Sequence, residues 1–227
     1  MFVLAIDTSS PAVTAGVVSV EGEVVLAAER APLAARGHDE LLAPSIADCL
    51  RDAGLATRDL AAVVAGVGPG PYTGLRVGLV TAAAFGDAVG IPTYGVCSLD
   101  AIGHACVDED TLLVATDARR REVYWARYSY GRRTTDPTVG RPDSVPLDGV
   151  HVVAGAGGEL HQDTWPTLYR RTERYPDPVA LVSLALERIV SSAPSEVLEP
   201  MYLRRPDAVE PGVRKTVTQT ATQRVAR

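Results

Sequence analysis

The chain has 227 residues and a formal net charge of −6, and hydrophobic residues make up 46% of it. This length allows one large domain or two small lobes, with a core that needs no disulfide or metal. An acidic chain is a poor stand-alone nucleic-acid binder, because affinity for phosphates comes mostly from Lys and Arg. The three cysteines have no CxxC spacing, which argues against a disulfide framework and a zinc knuckle. With no signal peptide pattern and no apolar stretch of about 20 residues, we expect a cytoplasmic protein without membrane contact.

The first half of the chain predicts an α/β unit that opens on a three-strand meander. An apolar run at 2–6 ends at Asp7 and is typical of a buried central strand. A helix at 38–53 follows the meander, because apolar residues recur on one face and Gly54 supplies a stop signal. The predicted strands are 2–6, 13–20, 24–30, 60–67 and 91–96, and the predicted helices are 38–53, 73–89 and 98–106.

The second half repeats this pattern less regularly. Its first apolar run ends at Asp117, as the first strand of the chain ends at Asp7. Asp177 is a suitable N-cap for a last helix, with Pro178 at the first helical position. The predicted elements are strands at 112–116, 122–130 and 150–154, a loop at 132–149 and a helix at 178–190.

Two βββαβα-like halves, each with an Asp after its first strand, indicate an internal duplication. We therefore predict an α/β fold with an N-terminal lobe at 1–106 and a smaller, degenerate C-terminal lobe at 107–206. The last segment, 207–227, has no apolar periodicity and is predicted to be a disordered, mildly basic tail.

Two segments of the first half have the composition of a phosphate site. A carboxylate at the carboxyl end of a central strand, Asp7, is followed by hydroxyl-rich residues, and such strand ends collect ligands in α/β sheets. A glycine-rich loop at 66–74 precedes a helix, where free N–H groups and the helix dipole favour anions. Pro69 and Pro71 remove two donors, and no Walker lysine is present, so a rigid structural loop is at least as well supported. The candidate contacts for a nucleotide or phosphate are Asp7, Thr8, Ser9, Gly68, Gly70, Thr73 and Asp117.

The helix at 73–89 carries small residues every four positions. These residues are Gly74, Gly78, Ala82, Gly86 and Gly90. Each glycine inside a helix costs roughly 0.5–1 kcal/mol relative to alanine, so keeping several there indicates a packing requirement. The neighbour that approaches so closely could equally be the chain's own sheet or a partner subunit.

Other residue types do not form a catalytic pattern. The arginines after Asp117 could contact phosphate or a carboxylate, although a solvated turn between strands is the better supported interpretation. The four histidines show neither HxxxH nor HExxH spacing, and no GxSxG elbow accompanies the serines. A metal centre and a hydrolase triad therefore have no support in the sequence.

Several of these segments together resemble the TsaB family, also known as YeaZ. The resemblance covers most of residues 1–204, and its most specific parts are the glycine-proline loop and the DARxxEVYW pattern. The matching stretches are IDTSSPAVTAGVV at 6–18, GVGPGPYTGLRVGL at 66–79, YGVCSLDAI at 94–102, DARRREVYW at 117–125 and MYLR at 201–204. The resemblance implies the tandem ribonuclease-H-like fold of actin, Hsp70 and sugar kinases.

The resemblance also implies a role without catalysis. The catalytic paralogue TsaD binds iron through two histidines in a GVNHLEGH-like segment, and the corresponding positions here are Ser98 and Ile102. Neither replaces imidazole as an iron ligand. The family therefore implies a scaffold that binds TsaD and works with the ATPase TsaE, while threonylcarbamoyl is transferred to N6 of adenosine 37 in tRNAs that read ANN codons.

By the same resemblance, the helices at 38–53 and 73–89 supply the interface with TsaD and a surface for homodimers. The implied interface residues are Leu42, Ile46, Cys49, Leu50, Gly74, Gly78, Ala82 and Gly86. No intrinsic cofactor is implied, and weak ATP or ADP binding is expected mainly in the complex with TsaD. Two alternatives remain open: a small actin-fold ATPase or kinase that uses Asp7 and the glycine loop, and, more remotely, a glycoprotease-like peptidase.

Overall fold

The first half of the chain forms a five-stranded sheet with the order β3-β2-β1-β4-β5 in the computed structural model, which describes residues 1–34 and 37–204. The strands β1, β2 and β3 form an antiparallel meander, and β1, β4 and β5 run parallel. The strands are β1 (Phe2–Asp7), β2 (Thr14–Glu21), β3 (Glu23–Arg30), β4 (Leu60–Gly66) and β5 (Thr93–Val96), and the helices are α1 (His38–Asp52), α2 (Tyr72–Val89) and α3 (Ser98–His104). Each element predicted in this half is present, with ends shifted by at most a few residues.

The second half forms another mixed sheet, whose central strands pair in the same antiparallel and parallel pattern. Its first strand β6 pairs antiparallel with β7 and parallel with β10, which in turn pairs parallel with β11. The elements are β6 (Leu112–Asp117), β7 (Val123–Ser129), β8 (Arg132–Arg133), β9 (Thr138–Gly140), β10 (Val152–Ala154), α4 (Ala156–Leu160), β11 (Tyr169–Arg170) and α5 (Pro178–Val190). The predicted duplication and the tandem ribonuclease-H-like fold are therefore confirmed.

The second lobe is degenerate in its helices. Between β10 and β11 lies the five-residue α4, whereas the corresponding helix of the first lobe, α2, has 18 residues. The segment 132–149 was predicted to be a loop, but it contains the short strands β8 and β9, which both pair with β7. Strands of two or three residues are too short to show an alternating pattern, which is also why β11 was not predicted.

Helices cover both faces of the first sheet. On one face, α1 and α2 pack against apolar side chains that include Leu4, Ile6 and Val63. On the other face, α5 buries Leu181, with Val3, Ala5 and Val64 of the sheet beneath it. Cover on both faces explains why β1 and β4 read as continuous apolar runs rather than as alternating ones.

The two halves of the sequence exchange helices. The last helix, α5, packs on the first sheet, whereas α3 of the first half packs on the second sheet through Leu99 and Ile102. The boundary predicted after residue 106 therefore separates the two sheets, but it does not separate each sheet from the helices of the other half.

A C-terminal segment at 191–204 ties the lobes together. Its Glu196 N–H donates to the carbonyl of Thr93 at 2.9 Å, and the Arg204 guanidinium donates to the carbonyl of Ala118 at 2.8 Å. The predicted tail at 207–227 lies outside the described residues. Within the described ranges, no helix has the length and apolar character needed to cross a membrane.

Candidate functional site

Asp7 lies at the carboxyl end of β1, and its carboxylate is held entirely by the chain itself. The N–H and hydroxyl of Ser9 donate to Asp7 Oδ1 at 2.9 and 2.7 Å, and the hydroxyl of Ser98 donates to Oδ2 at 2.5 Å. Burial raises the pKa of Asp7, and these hydrogen bonds offset part of that increase. Asp7 is only 1% exposed, and both of its oxygens accept hydrogen bonds from the chain.

The glycine-rich loop packs directly on the turn that follows Asp7. A Cβ atom on Gly66 would overlap Asp7 Oδ2, and one on Gly70 would lie 2.5 Å from the carbonyl oxygen of Ser9. The N–H of Gly68 donates to Ser98 Oγ at 3.0 Å. These contacts favour the structural interpretation of the loop, since its glycines allow backbone and side-chain approach within the fold.

The small residues of α2 face the chain's own sheet. A Cβ atom on Gly78 would overlap Thr8 Oγ1, and one on Gly86 would lie 2.5 Å from Thr93 Cγ2. Thr8 Oγ1 also donates to the carbonyl of Gly74 at 2.7 Å. Ala82 is buried in the same core, so a close internal approach accounts for the row up to Gly86, whereas Gly90 is the exposed, left-handed C-cap of α2.

The apolar side chains singled out on α1 also point inward. Leu42, Ile46, Cys49 and Leu50 belong to the core between α1, α2 and the first sheet. The thiol of Cys49 donates to the carbonyl of Ala15 at 3.3 Å, and burial raises its pKa to about 11. In this conformation a partner at α1 and α2 would therefore meet the exposed neighbours of these residues.

The exposed faces of α1 and α2 form a groove of about 480 Å³. Val80 and Tyr72 present apolar surface here, with exposed fractions of 65% and 41%. The guanidinium of Arg76 lies 4.9 Å from the ring centroid of Tyr72, a cation–π contact on the same face. Sequence reasoning missed these residues, although Tyr72, Arg76 and Val80 repeat every four positions as a second row along α2.

A smaller cavity of about 270 Å³ lies beside the helix N-termini. It joins Thr8, Thr73 and Gly74 to Arg119 of the β6–β7 turn, together with His38, whose Nε2 lies 2.9 Å from the Ser10 carbonyl oxygen. The structure thus divides the predicted nucleotide contacts. Thr8 and Thr73 line the cavity, whereas Asp7, Ser9, Gly68 and Gly70 do not.

Asp117 occupies the position of Asp7 in the second lobe but has different partners. Its Oδ1 accepts the N–H of Arg119 at 2.7 Å, and its Oδ2 lies 3.6 Å from the Arg119 guanidinium. Asp117 is half-buried, so the two aspartates of the duplication differ in exposure. Asp117 does not itself line the cavity, but it contacts Arg119, which does.

The two positions that correspond to the iron ligands of TsaD have structural contacts here. Ser98 donates to Asp7, and Ile102 is completely buried among apolar side chains between α3 and the second sheet. These residues do not fit an iron ion. Within residues 1–34 and 37–204, no group of three or more His, Cys, Asp or Glu side chains is placed to hold a metal.

Comparison with known proteins places the chain in a family. A family model described as TsaD, tRNA N6-adenosine threonylcarbamoyltransferase, matches residues 31–143. An Escherichia coli protein named tRNA threonylcarbamoyladenosine biosynthesis protein TsaB is 30% identical over 181 residues, which is 74% of this chain and 75% of that protein. The chain belongs to the TsaB family.

Two further relatives match about nine-tenths of the chain. An uncharacterised protein of Mycobacterium tuberculosis is 51% identical over 91% of this chain and 93% of its own length. The solved structure of YeaZ from Pseudomonas aeruginosa has a TM-score of 0.74 at 25% identity, and the match covers 89% of this chain and 99% of that one. The resemblance to the TsaB family predicted from the sequence is confirmed.

Proposed function

We propose that this chain is a non-catalytic scaffold subunit in tRNA threonylcarbamoyladenosine biosynthesis. It would bind a TsaD-type catalytic subunit while threonylcarbamoyl is transferred to N6 of adenosine 37 in tRNAs that read ANN codons. The relatives named TsaB support a role in this modification. A cytoplasmic location and cooperation with the ATPase TsaE belong to the same proposal.

The scaffold assignment is supported by one observation: the side chains of Ser98, Ile102 and Asp7 all make contacts within the fold. In the TsaD paralogue the first two positions hold iron ligands, but here Ser98 donates to Asp7 and Ile102 fills the core. The Asp7 carboxylate, which a kinase or ATPase of this fold would use, is buried and accepts three hydrogen bonds from the chain itself. A kinase or ATPase role therefore requires a rearranged β1 turn. In this proposal the chain binds ATP or ADP only weakly, and mainly in the complex with the catalytic subunit.

The proposed binding surface for the catalytic subunit is the groove between α1 and α2, which Val80 lines. Large apolar residues exposed at 41–65%, such as Tyr72 and Val80, are the kind of side chain that a stable interface buries. Self-association of the chain would use the same surface and compete with the catalytic subunit.

We expect Val80→Asp to abolish binding to the catalytic subunit, because a carboxylate in an apolar interface would lose its hydration. Binding is measured by co-purification, followed by a tRNA modification assay with TsaE. The matched control is Val190→Asp on α5, where the valine is 61% exposed on the other side of the sheet.

The Val190 variant is expected to assemble and to support modification like the wild type. Assembly of both variants would place the interface elsewhere. A wild-type chain that neither binds the catalytic subunit nor supports modification would refute the proposed function, and ATP turnover by the isolated chain would then be measured next.

A further inference from the structure

The turn between β6 and β7 consists of arginines in an unusual backbone conformation. Arg119, Arg120 and Arg121 have φ values of 62°, 51° and 62°, in the left-handed region. That conformation costs roughly 1–2 kcal/mol per non-glycine residue. Tertiary contacts hold the turn, since Ala118 N–H donates to the Glu122 carbonyl at 3.0 Å and Arg204 donates to the Ala118 carbonyl at 2.8 Å.

The duplication supplies an internal comparison for this turn. Counted from Asp7 and Asp117, the residues that correspond to Arg119 and Arg120 are Ser9 and Ser10, which are 5% and 6% exposed and bonded into the fold. The arginines at 119–121 are all exposed. The turn after Asp7 therefore packs in the core, whereas the turn after Asp117 has exposed arginine side chains.

The surroundings of the turn extend this basic surface on both sides. Arg119 lines the 270 Å³ cavity with the hydroxyl-bearing Thr8 and Thr73. Arg121 lines a second depression of about 340 Å³ with Arg141 and His161. Carboxylates nearby include Asp117, 3.6 Å from the Arg119 guanidinium, Asp143, 3.3 Å from Arg141 Nε, and Asp39, which lines the same cavity as Arg119. Asp117 forms an ion pair with Arg119 and Asp143 accepts one hydrogen bond from Arg141, whereas a guanidinium has five donors in total.

We infer that Arg119 and Arg121 contact the phosphate backbone of tRNA when this chain acts in the complex proposed above. The planar guanidinium binds phosphate oxygens through paired hydrogen bonds, and two such groups on a projecting turn fit a polyanion. The chain as a whole carries a net charge of −6, and the exposed guanidinium groups of this turn give it a local positive charge that attracts an RNA strand. The inference rests on the proposed function, because that function supplies the tRNA.

The test measures binding of an unmodified tRNA transcript to the chain alone and to its complex with the catalytic subunit, at several salt concentrations. The variant is Arg119→Ala/Arg121→Ala. Its matched control is Arg58→Ala/Arg132→Ala, which removes the same charge from exposed arginines elsewhere on the surface. A third variant, Arg119→Lys/Arg121→Lys, keeps the charge but loses the fork geometry. Thermal unfolding of every variant verifies that the fold is retained.

Loss of two phosphate contacts should weaken transcript binding by the complex about tenfold and lower the slope of log affinity against log salt by about 1.4–1.8. The affinity of the control should stay within about twofold of the wild type, and that of the lysine variant should fall between the affinities of the control and the alanine variant. An alanine variant that binds the transcript like the control overturns the inference. So does one that loses the catalytic subunit while its own transcript binding is unchanged, because the turn would then contact protein.

Failure of the proposed function would give a different result. If no complex forms but the isolated chain binds the transcript and the alanine variant does not, the inference stands and the scaffold role falls. If neither the chain nor any mixture with the catalytic subunit binds the transcript, the inference itself is overturned.

Discussion

Ser98 connects three parts of the first lobe through one hydroxyl group. It donates to Asp7 Oδ2 at 2.5 Å and accepts the N–H of Gly68 at 3.0 Å, while its own N–H donates to the Gly68 carbonyl at 2.7 Å. The strand end, the glycine loop and the start of α3 therefore share one buried polar network. Such networks are costly to disrupt, because the groups left behind cannot reach water.

At this scale we predict that Ser98→Ala lowers the free energy of unfolding by about 1–3 kcal/mol, since it leaves Asp7 Oδ2 and the Gly68 N–H without partners. Urea denaturation measures the change. The control is Ser191→Ala. The Ser191 hydroxyl donates to the Arg188 carbonyl at the surface, so this substitution should change the free energy of unfolding by less than about 0.5 kcal/mol. Equal effects of the two substitutions would show that Asp7 does not depend on the Ser98 hydroxyl.

Among the elements, α2 has one face that packs inside the fold and one face that is exposed. Gly74, Gly78 and Gly86 allow the helix to lie against the β1 turn and β5, whereas Tyr72 and Val80 form the exposed row. Replacing a helical glycine normally gains up to about 1 kcal/mol of helix propensity. At the inner face this gain is outweighed by steric overlap with the sheet.

We therefore expect Gly78→Leu to destabilise the fold by more than about 2 kcal/mol through overlap with Thr8. Ala84→Leu, on the exposed side of the same helix, should change stability by less than about 0.5 kcal/mol. Thermal and urea unfolding distinguish the two. A Gly78→Leu variant as stable as Ala84→Leu would mean that α2 can move away from the β1 turn.

In the whole molecule, the exchange of α3 and α5 makes each sheet depend on the other half of the chain. The first sheet loses the cover of Leu181 and Ile189 if the chain is cut after residue 106. An uncovered apolar sheet face costs stability and promotes association.

We predict that the fragment 1–106 shows no cooperative thermal unfolding and binds a hydrophobic dye, and that adding the fragment 107–227 restores cooperative unfolding. Circular dichroism at 222 nm follows both transitions, with the intact chain as the reference. Cooperative unfolding of 1–106 by itself would show that α5 is dispensable for the first lobe.

The local patterns of the sequence were sufficient for the duplicated fold and for the family. Helical and strand periodicity predicted every long element, and Asp177 accepts the N–H of Ala180 at 3.0 Å as the predicted N-cap of α5. The candidate site was predicted only as a set of residue types. Asp7 and the glycine loop were predicted as two segments with the composition of a phosphate site, but whether they face a ligand or one another depends on contacts between distant segments.

Periodicity, caps and glycine spacing thus determined the elements, their order and the close approach that α2 requires, because these are local properties of the chain. Only the tertiary structure decided which neighbour that approach serves, that Ser98 completes the bonding of Asp7, and that one of two equivalent turns is buried while the other exposes Arg119 and Arg121. The physical reason is that burial and hydrogen-bond partners are set by residues far apart in sequence: Ser98 lies 91 positions from Asp7.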